Sequence, residues 1–244
     1  MFASFKEFFS IALPLSGLIL FTACGKAAND KSPRMMVSTD PQTGEVDQTT
    51  MEQQPDEGIY KAVFKPLNSA LSGETTGTIE VRIEGDDFFV ESRVAGSPIA
   101  VKHLQNIFSA SKCPDETSDI NQDGIIDIQE AISHTGKILL PLDSDLSEQL
   151  DGIEYGPISN NAGNFVYRRS TTLSRVLAGL RSVDPDPRDS IIKLNPHEEL
   201  NLSGRVVMVH GIKHTTPLAT EIAGYGPFTA EQSLPIACGI LVRQ

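Results

Sequence analysis

Residues 119–130 (DINQDGIIDIQE) concentrate most of the chemistry this chain can perform. Oxygen-bearing side chains stand at the first, third, fifth, ninth and twelfth places of that dozen: Asp119, Asn121, Asp123, Asp127 and Glu130. Gly124 in sixth place permits a sharp reversal, and Ile125 in seventh can offer its backbone carbonyl. A hard divalent cation such as Ca2+ takes roughly six to eight oxygens at about 2.3–2.6 Å, and a turning loop can aim alternate side chains at one point. Four carboxylates this close in sequence repel one another when nothing neutralises them, so a cation would convert an electrostatic cost into order. The competing reading is a solvated acidic turn that holds no ion.

Position by position, the segment resembles the EF-hand loop. That resemblance implies Ca2+ as the bound cofactor. The ligands it implies are the side chains of Asp119, Asn121 and Asp123, the carbonyl of Ile125, Asp127 directly or through water, and Glu130 as a bidentate clamp. Ile126, in eighth place, matches the apolar anchor that draws such a loop onto a core. Upstream, residues 111–116 (SKCPDE) do not read as an entering helix, whereas residues 128–134 suit an exit helix. The segment is thus half an EF-hand, nearer to the dockerin-type loops of exported modules than to paired cytosolic sensors. With no second loop to couple to, the ion is expected to be structural.

Histidines supply the other candidate chemistry. Residues 204–211 (GRVVMVHG) and 236–241 (IACGIL) resemble the closing strands of copper/zinc superoxide dismutases, in which a strand histidine binds copper. The resemblance implies a mainly β domain, an antiparallel Greek-key sandwich or barrel. The catalytic apparatus departs from the family. Residues 101–108 (VKHLQNIF) hold one histidine where the family has His-x-His, with Asn106 and Phe108 near the expected places. No arginine precedes Ala-Cys-Gly in residues 232–236 (QSLPI). A divergent copper or zinc enzyme would need His103, His210 and His214 to meet as a three-imidazole site. No nucleophile elbow, phosphate loop, dinucleotide fingerprint or His-Glu-x-x-His occurs, so a non-catalytic binding or envelope protein is the favoured function and the metalloenzyme its alternative.

The N-terminus decides where this chemistry takes place. After Lys6, the apolar residues 8–21 (FFSIALPLSGLILF) are short and broken by Pro14 and Gly17, which reads as the core of a secretory signal and not as a membrane span. Residues 21–25 (FTACG) resemble the lipobox of bacterial lipoproteins. The resemblance implies cleavage of residues 1–23, acylation of Cys24 and a lipid anchor in the bacterial cell envelope. Gly25, where inner-membrane lipoproteins of the family carry Asp, favours the outer membrane. A plain secretory cut near Ala23 is the alternative. Each buried methylene of an acyl chain contributes about 0.8 kcal/mol, so several chains together hold firmly.

With Cys24 so assigned, Cys113 and Cys238 form an even pair in an oxidising compartment, as a disulfide or as two buried thiols. The dismutase resemblance implies the same bond, since the Ala-Cys-Gly cysteine pairs there with one in an earlier loop. Residues 24–57 contain no aromatic residue and much Ser, Thr, Gln, Asp and Pro, which predicts a flexible tether. Residues 58–244 form the β-rich domain. Alternating patterns predict a hairpin over residues 78–84 and 88–94, with further strands at 60–64, 137–142, 165–168, 205–209 and 236–242. Helices are expected at 128–134 and 174–181, the second capped by Thr172 or Ser174. Asp184-Pro185-Asp186-Pro187 reads as a rigid turn. The balance of 20 basic against 32 acidic residues leaves a net charge of −12, which argues against nucleic acid as a partner.

Overall fold

The computed structural model describes residues 57–146, 156–182 and 191–244. The signal segment, Cys24, residues 24–56 of the expected tether and the turn at Asp184 lie outside the described residues. Within them the chain is mainly antiparallel β. The strands are β1 (Gly58–Pro66), β2 (Thr76–Glu84), β3 (Asp87–Ala95), β4 (Leu104–Phe108), β5 (Ile138–Pro141), β6 (Phe165–Thr172), β7 (Val206–His210), β8 (Pro235–Ile240) and β9 (Val242–Arg243). Four short helices accompany them: α1 (Ser69–Ser72), α2 (Ile128–Thr135), α3 (Leu173–Ser182) and α4 (Ala230–Ser233). No described helix is long and apolar enough to cross a membrane.

The strands run in the order β5-β4-β7-β8-β1-β2-β3-β6, with β9 also on β1. The hairpin β2–β3 turns through Gly85-Asp86, where Gly85 has φ 57°, the backbone sign that suits a right-twisted two-residue turn. In β1, β2 and β3 buried and exposed residues alternate. Their outer face is wet and charged: Lys61 bonds Glu80 at 3.1 Å, Arg168 and Arg93 both reach Glu91, and the Arg82 guanidinium lies 5.0 Å from the Phe89 ring centre. Their inner residues Tyr60, Val81 and Val90 share one core with Ile107, Val207 and Ile236 from the other half of the sheet, so the sheet curls over a common interior.

Strands β4, β5 and β7 are buried on both faces. Their outer side carries a second core, in which Phe108, Val206, Met208 and Cys238 pack against Ile126, Ile128 and Ala131. The loop of residues 119–130 and helix α2 are therefore set on the sheet by apolar burial. A disulfide between Cys113 and Cys238, with Cα atoms 5.9 Å apart, ties the segment leading into that loop to β8. Helix α3 buries Val176 and Leu180 and takes its cap partly from Thr172, whose hydroxyl accepts the Arg175 amide at 3.2 Å. Asp86 of the β2–β3 turn completes the cap by accepting the Ser174 amide at 2.8 Å.

Candidate functional site: an acidic loop and two buried imidazoles

The approach to the loop is a 3-10 turn, Glu116–Ser118, capped by Asp115, in place of an entering helix. Chain reversal follows at Gln122 (φ 60°) and Gly124 (φ 82°), the left-handed region that glycine occupies without a Cβ penalty. Asp119 accepts the amides of Asp123 at 3.2 Å and Gly124 at 2.9 Å, one on each carboxylate oxygen. Asn121 Oδ1 accepts the Asp123 amide at 3.0 Å, and its Nδ2 donates to Asp123 Oδ2 at 3.1 Å. The other Asp123 oxygen accepts the Ile125 amide at 2.8 Å.

The second half of the loop is closed from helix α2. Asp127 is its N-cap, accepting the amides of Gln129 and Glu130 at 2.8 and 3.0 Å. Glu130 reaches back: Oε2 accepts the Asp127 amide at 3.1 Å, and Oε1 accepts those of Ile120 at 2.8 Å and Asn121 at 3.2 Å. That reciprocal pair is a capping box. One carboxylate thereby joins the last place of the loop to its second, third and ninth. Asp127 and Glu130 are only 7% and 8% exposed, yet among the described residues no ion pair involves Asp119, Asp123, Asp127 or Glu130. Burying charge without a counter-ion is costly, and backbone amides alone offset it here.

All the expected ligand residues thus share one loop, and their donor set is oxygen only, which suits Ca2+. Among the described residues, no three His, Cys, Asp or Glu side chains form a ready-made metal cage. The carboxylates face the loop's own amides, and two of the expected donors, Asn121 and the Ile125 carbonyl, belong to neither the acids nor the imidazoles. Asn68, which sequence reasoning missed, also holds the loop. It sits at φ 51° and ψ 39° between β1 and α1. Its Oδ1 accepts the Ile126 amide at 2.8 Å, and its Nδ2 donates to the carbonyls of Ile126 and Pro235, both at 2.9 Å.

The histidines fall into two groups. His103 is fully buried, stacks on Phe165 with ring centres 4.9 Å apart, and lies 3.0 Å through Nδ1 from the His210 carbonyl. His210 is buried beside Phe108, with Nδ1 2.9 Å from the Ser233 carbonyl. A carbonyl can only accept, so each Nδ1 carries the proton of a neutral ring. Burial pushes His103 below the usual imidazole range, against the opposing pull of the His210 and Pro98 carbonyls. Burial likewise drives His210 down to about 4, outweighing the Ser233 carbonyl. His214 stands apart: its side chain is 88% exposed, with Nδ1 3.5 Å from Glu231. Two of the three imidazoles are neighbours and the third faces solvent, so the set needed for a copper or zinc site is not brought together. No family model matches this chain, and no curated protein matches it.

Proposed function

We propose that the chain is an exported bacterial lipoprotein, anchored through Cys24 with residues 24–57 as a tether, whose β domain binds one structural Ca2+ in residues 119–130. Its work is binding at the cell envelope, the outer membrane before the inner, and not catalysis. The observation that carries the calcium reading is the closure of the loop by Glu130, a buried carboxylate that spans it with no cationic side chain to balance it. Asp119, Asn121, Asp123, Asp127, Glu130 and the Ile125 carbonyl would hold the ion. Bound there, Ca2+ supplies the positive charge that four acidic side chains otherwise lack.

The strand order supports the finer fold reading, a Greek-key barrel of the superoxide-dismutase kind. Consecutive strands β3 and β4, β5 and β6, and β6 and β7 lie in different halves of the sheet, so three connections among β1 to β8 cross from one half to the other. The Cys113–Cys238 bond is consistent with it. Isothermal titration with CaCl2, joined to metal analysis of the purified protein, tests the proposal: a one-site calcium isotherm is expected. Absence of calcium heat at millimolar concentration, or stoichiometric copper or zinc in its place, would overturn it.

A further inference from the structure

Asn68 makes three hydrogen bonds through one carboxamide, and two of them embrace a single residue of the acidic loop. Its Oδ1 takes the N–H of Ile126, and its Nδ2 gives to the C=O of the same residue. The second Nδ2 proton goes to the carbonyl of Pro235 at the head of β8. Two acceptors lie at the nitrogen and one donor at the oxygen, so the amide has one orientation consistent with its partners. Asn is among the few residues that occupy the left-handed region readily, which is where the backbone must sit for this reach.

Peptide planarity turns this local grip into control of the loop. All peptide bonds described are trans, so the N–H and C=O of each unit point in opposite directions. Holding the Ile126 N–H toward Asn68 therefore turns the Ile125 carbonyl away from it. Holding the Ile126 C=O toward Asn68 likewise turns the Asp127 N–H away, and that N–H is the donor which Glu130 Oε2 accepts at 3.1 Å. One side chain, 58 positions earlier in the chain, thus orients the two peptide planes that bear on the seventh-place carbonyl and the twelfth-place carboxylate.

We infer that Asn68 is a positioning residue for calcium binding: it aims the Ile125 carbonyl and the Glu130 carboxylate, and links the loop to β8 through Pro235. This rests on the calcium reading of residues 119–130. Outer partners of this kind set metal affinity, and their loss typically weakens it about ten- to a hundredfold. By reciprocity, a bound ion must strengthen the Asn68–Ile126 contacts by the same factor.

The test compares calcium titrations of the full-length protein, its Asn68→Gly variant and an Ile83→Val control. Glycine accepts the left-handed backbone while removing the carboxamide. Ile83 is buried among the inward residues of β2, so its variant lowers stability without touching the loop. The expected result is a Kd raised about tenfold in Asn68→Gly and unchanged in Ile83→Val. A merely structural role for Asn68 would lower the melting temperature of both variants and move neither Kd. Equal Kd values for wild type and Asn68→Gly overturn the role of Asn68 while leaving the calcium reading in place, whereas no isotherm in wild type overturns both. Should Asn68→Gly fail to fold, amide exchange at Ile126 in the wild-type protein decides: CaCl2 is expected to slow it, and an unchanged rate refutes the inference.

Discussion

His210 converts burial into a pH dependence whose size can be worked out. Its ring is enclosed, with Nδ1 held by the Ser233 carbonyl, and burial lowers its pKa from an ordinary 6.5 to about 4. Between those values the unfolded chain binds a proton that the folded chain refuses, so stability is complete above 6.5 and drains as pH falls toward 4. Each unit of pKa difference corresponds to about 1.4 kcal/mol, so His210 removes about 2 kcal/mol between pH 7 and pH 5, and about 3 kcal/mol once pH 4 is reached. His103, lowered by burial as well, acts in the same direction as pH falls below the ordinary imidazole range. Urea denaturation in calcium-free buffer measures the effect: with a slope near 2 kcal/mol/M, the midpoint at pH 5 should lie about 1 M below that at pH 7. In His210→Asn the amide can still donate to the Ser233 carbonyl but cannot titrate. That variant starts less stable, because a ring has been removed from a packed site, yet its midpoint should move much less over the same interval. Identical pH slopes for wild type and His210→Asn would refute the reasoning.

Exported calcium loops commonly bind at about 10⁻⁴–10⁻³ M. Ten millimolar CaCl2, on the order of ten to a hundred times that Kd, should then add about 1.4–2.7 kcal/mol and raise the melting temperature by about 3–10 °C, EDTA reversing the rise. Glu130→Gln should abolish the increment, and a melting temperature indifferent to both additions counts against the site. Replacing Cys113 and Cys238 by serine opens a loop of 125 residues. Chain entropy sets the cost near about 5 kcal/mol, read by chemical denaturation, and a loss below about 1 kcal/mol would show that the bond restrains little. Cys24→Ala should move the protein from the detergent-soluble membrane fraction to the aqueous one, and continued membrane partition would remove the lipid anchor.

Legibility in the sequence followed the exposure of each element. Strands β1 to β3 face water on one side, so Lys61, Glu80 and Glu91 alternate with Tyr60, Val81 and Val90 and mark the period. Strand β4 is enclosed on both sides and carries Gln105 and Asn106 in its middle, which erases that period. Its polarity makes sense only across the core, where the Ser92 hydroxyl donates to Gln105 Oε1 at 2.6 Å. The single strand expected over residues 236–242 is interrupted at Leu241, which turns inward while its amide bonds the Arg205 carbonyl. Helix α2 was readable as the segment leaving the acidic loop, and in the structure the Asp127–Glu130 capping box fixes its start. Asn68 was not, since nothing local distinguishes it and its partners lie 58 and 167 positions away. Partners of His103 and His210 are backbone carbonyls, which no pattern of side chains announces.

The way the loop is mounted bears on what a calcium ion could do there. Sensor loops act by opening a helix away from its neighbour and exposing an apolar surface, which requires two arrangements of similar free energy. Here the apolar side of α2, Ile128 and Ala131, already lies against Phe108, Val206 and Met208. Its entry is held by the Asp127–Glu130 box, the middle of the loop by Asn68, and the upstream end by the bond from Cys113 to Cys238. Moving α2 outward would expose that core and break the loop's hold on β8 together, a cost of several buried side chains at about 1.5–3 kcal/mol each. Ion binding in an exported loop at millimolar calcium supplies less than that. In the proposed role, calcium therefore deepens the folded minimum without selecting a second shape.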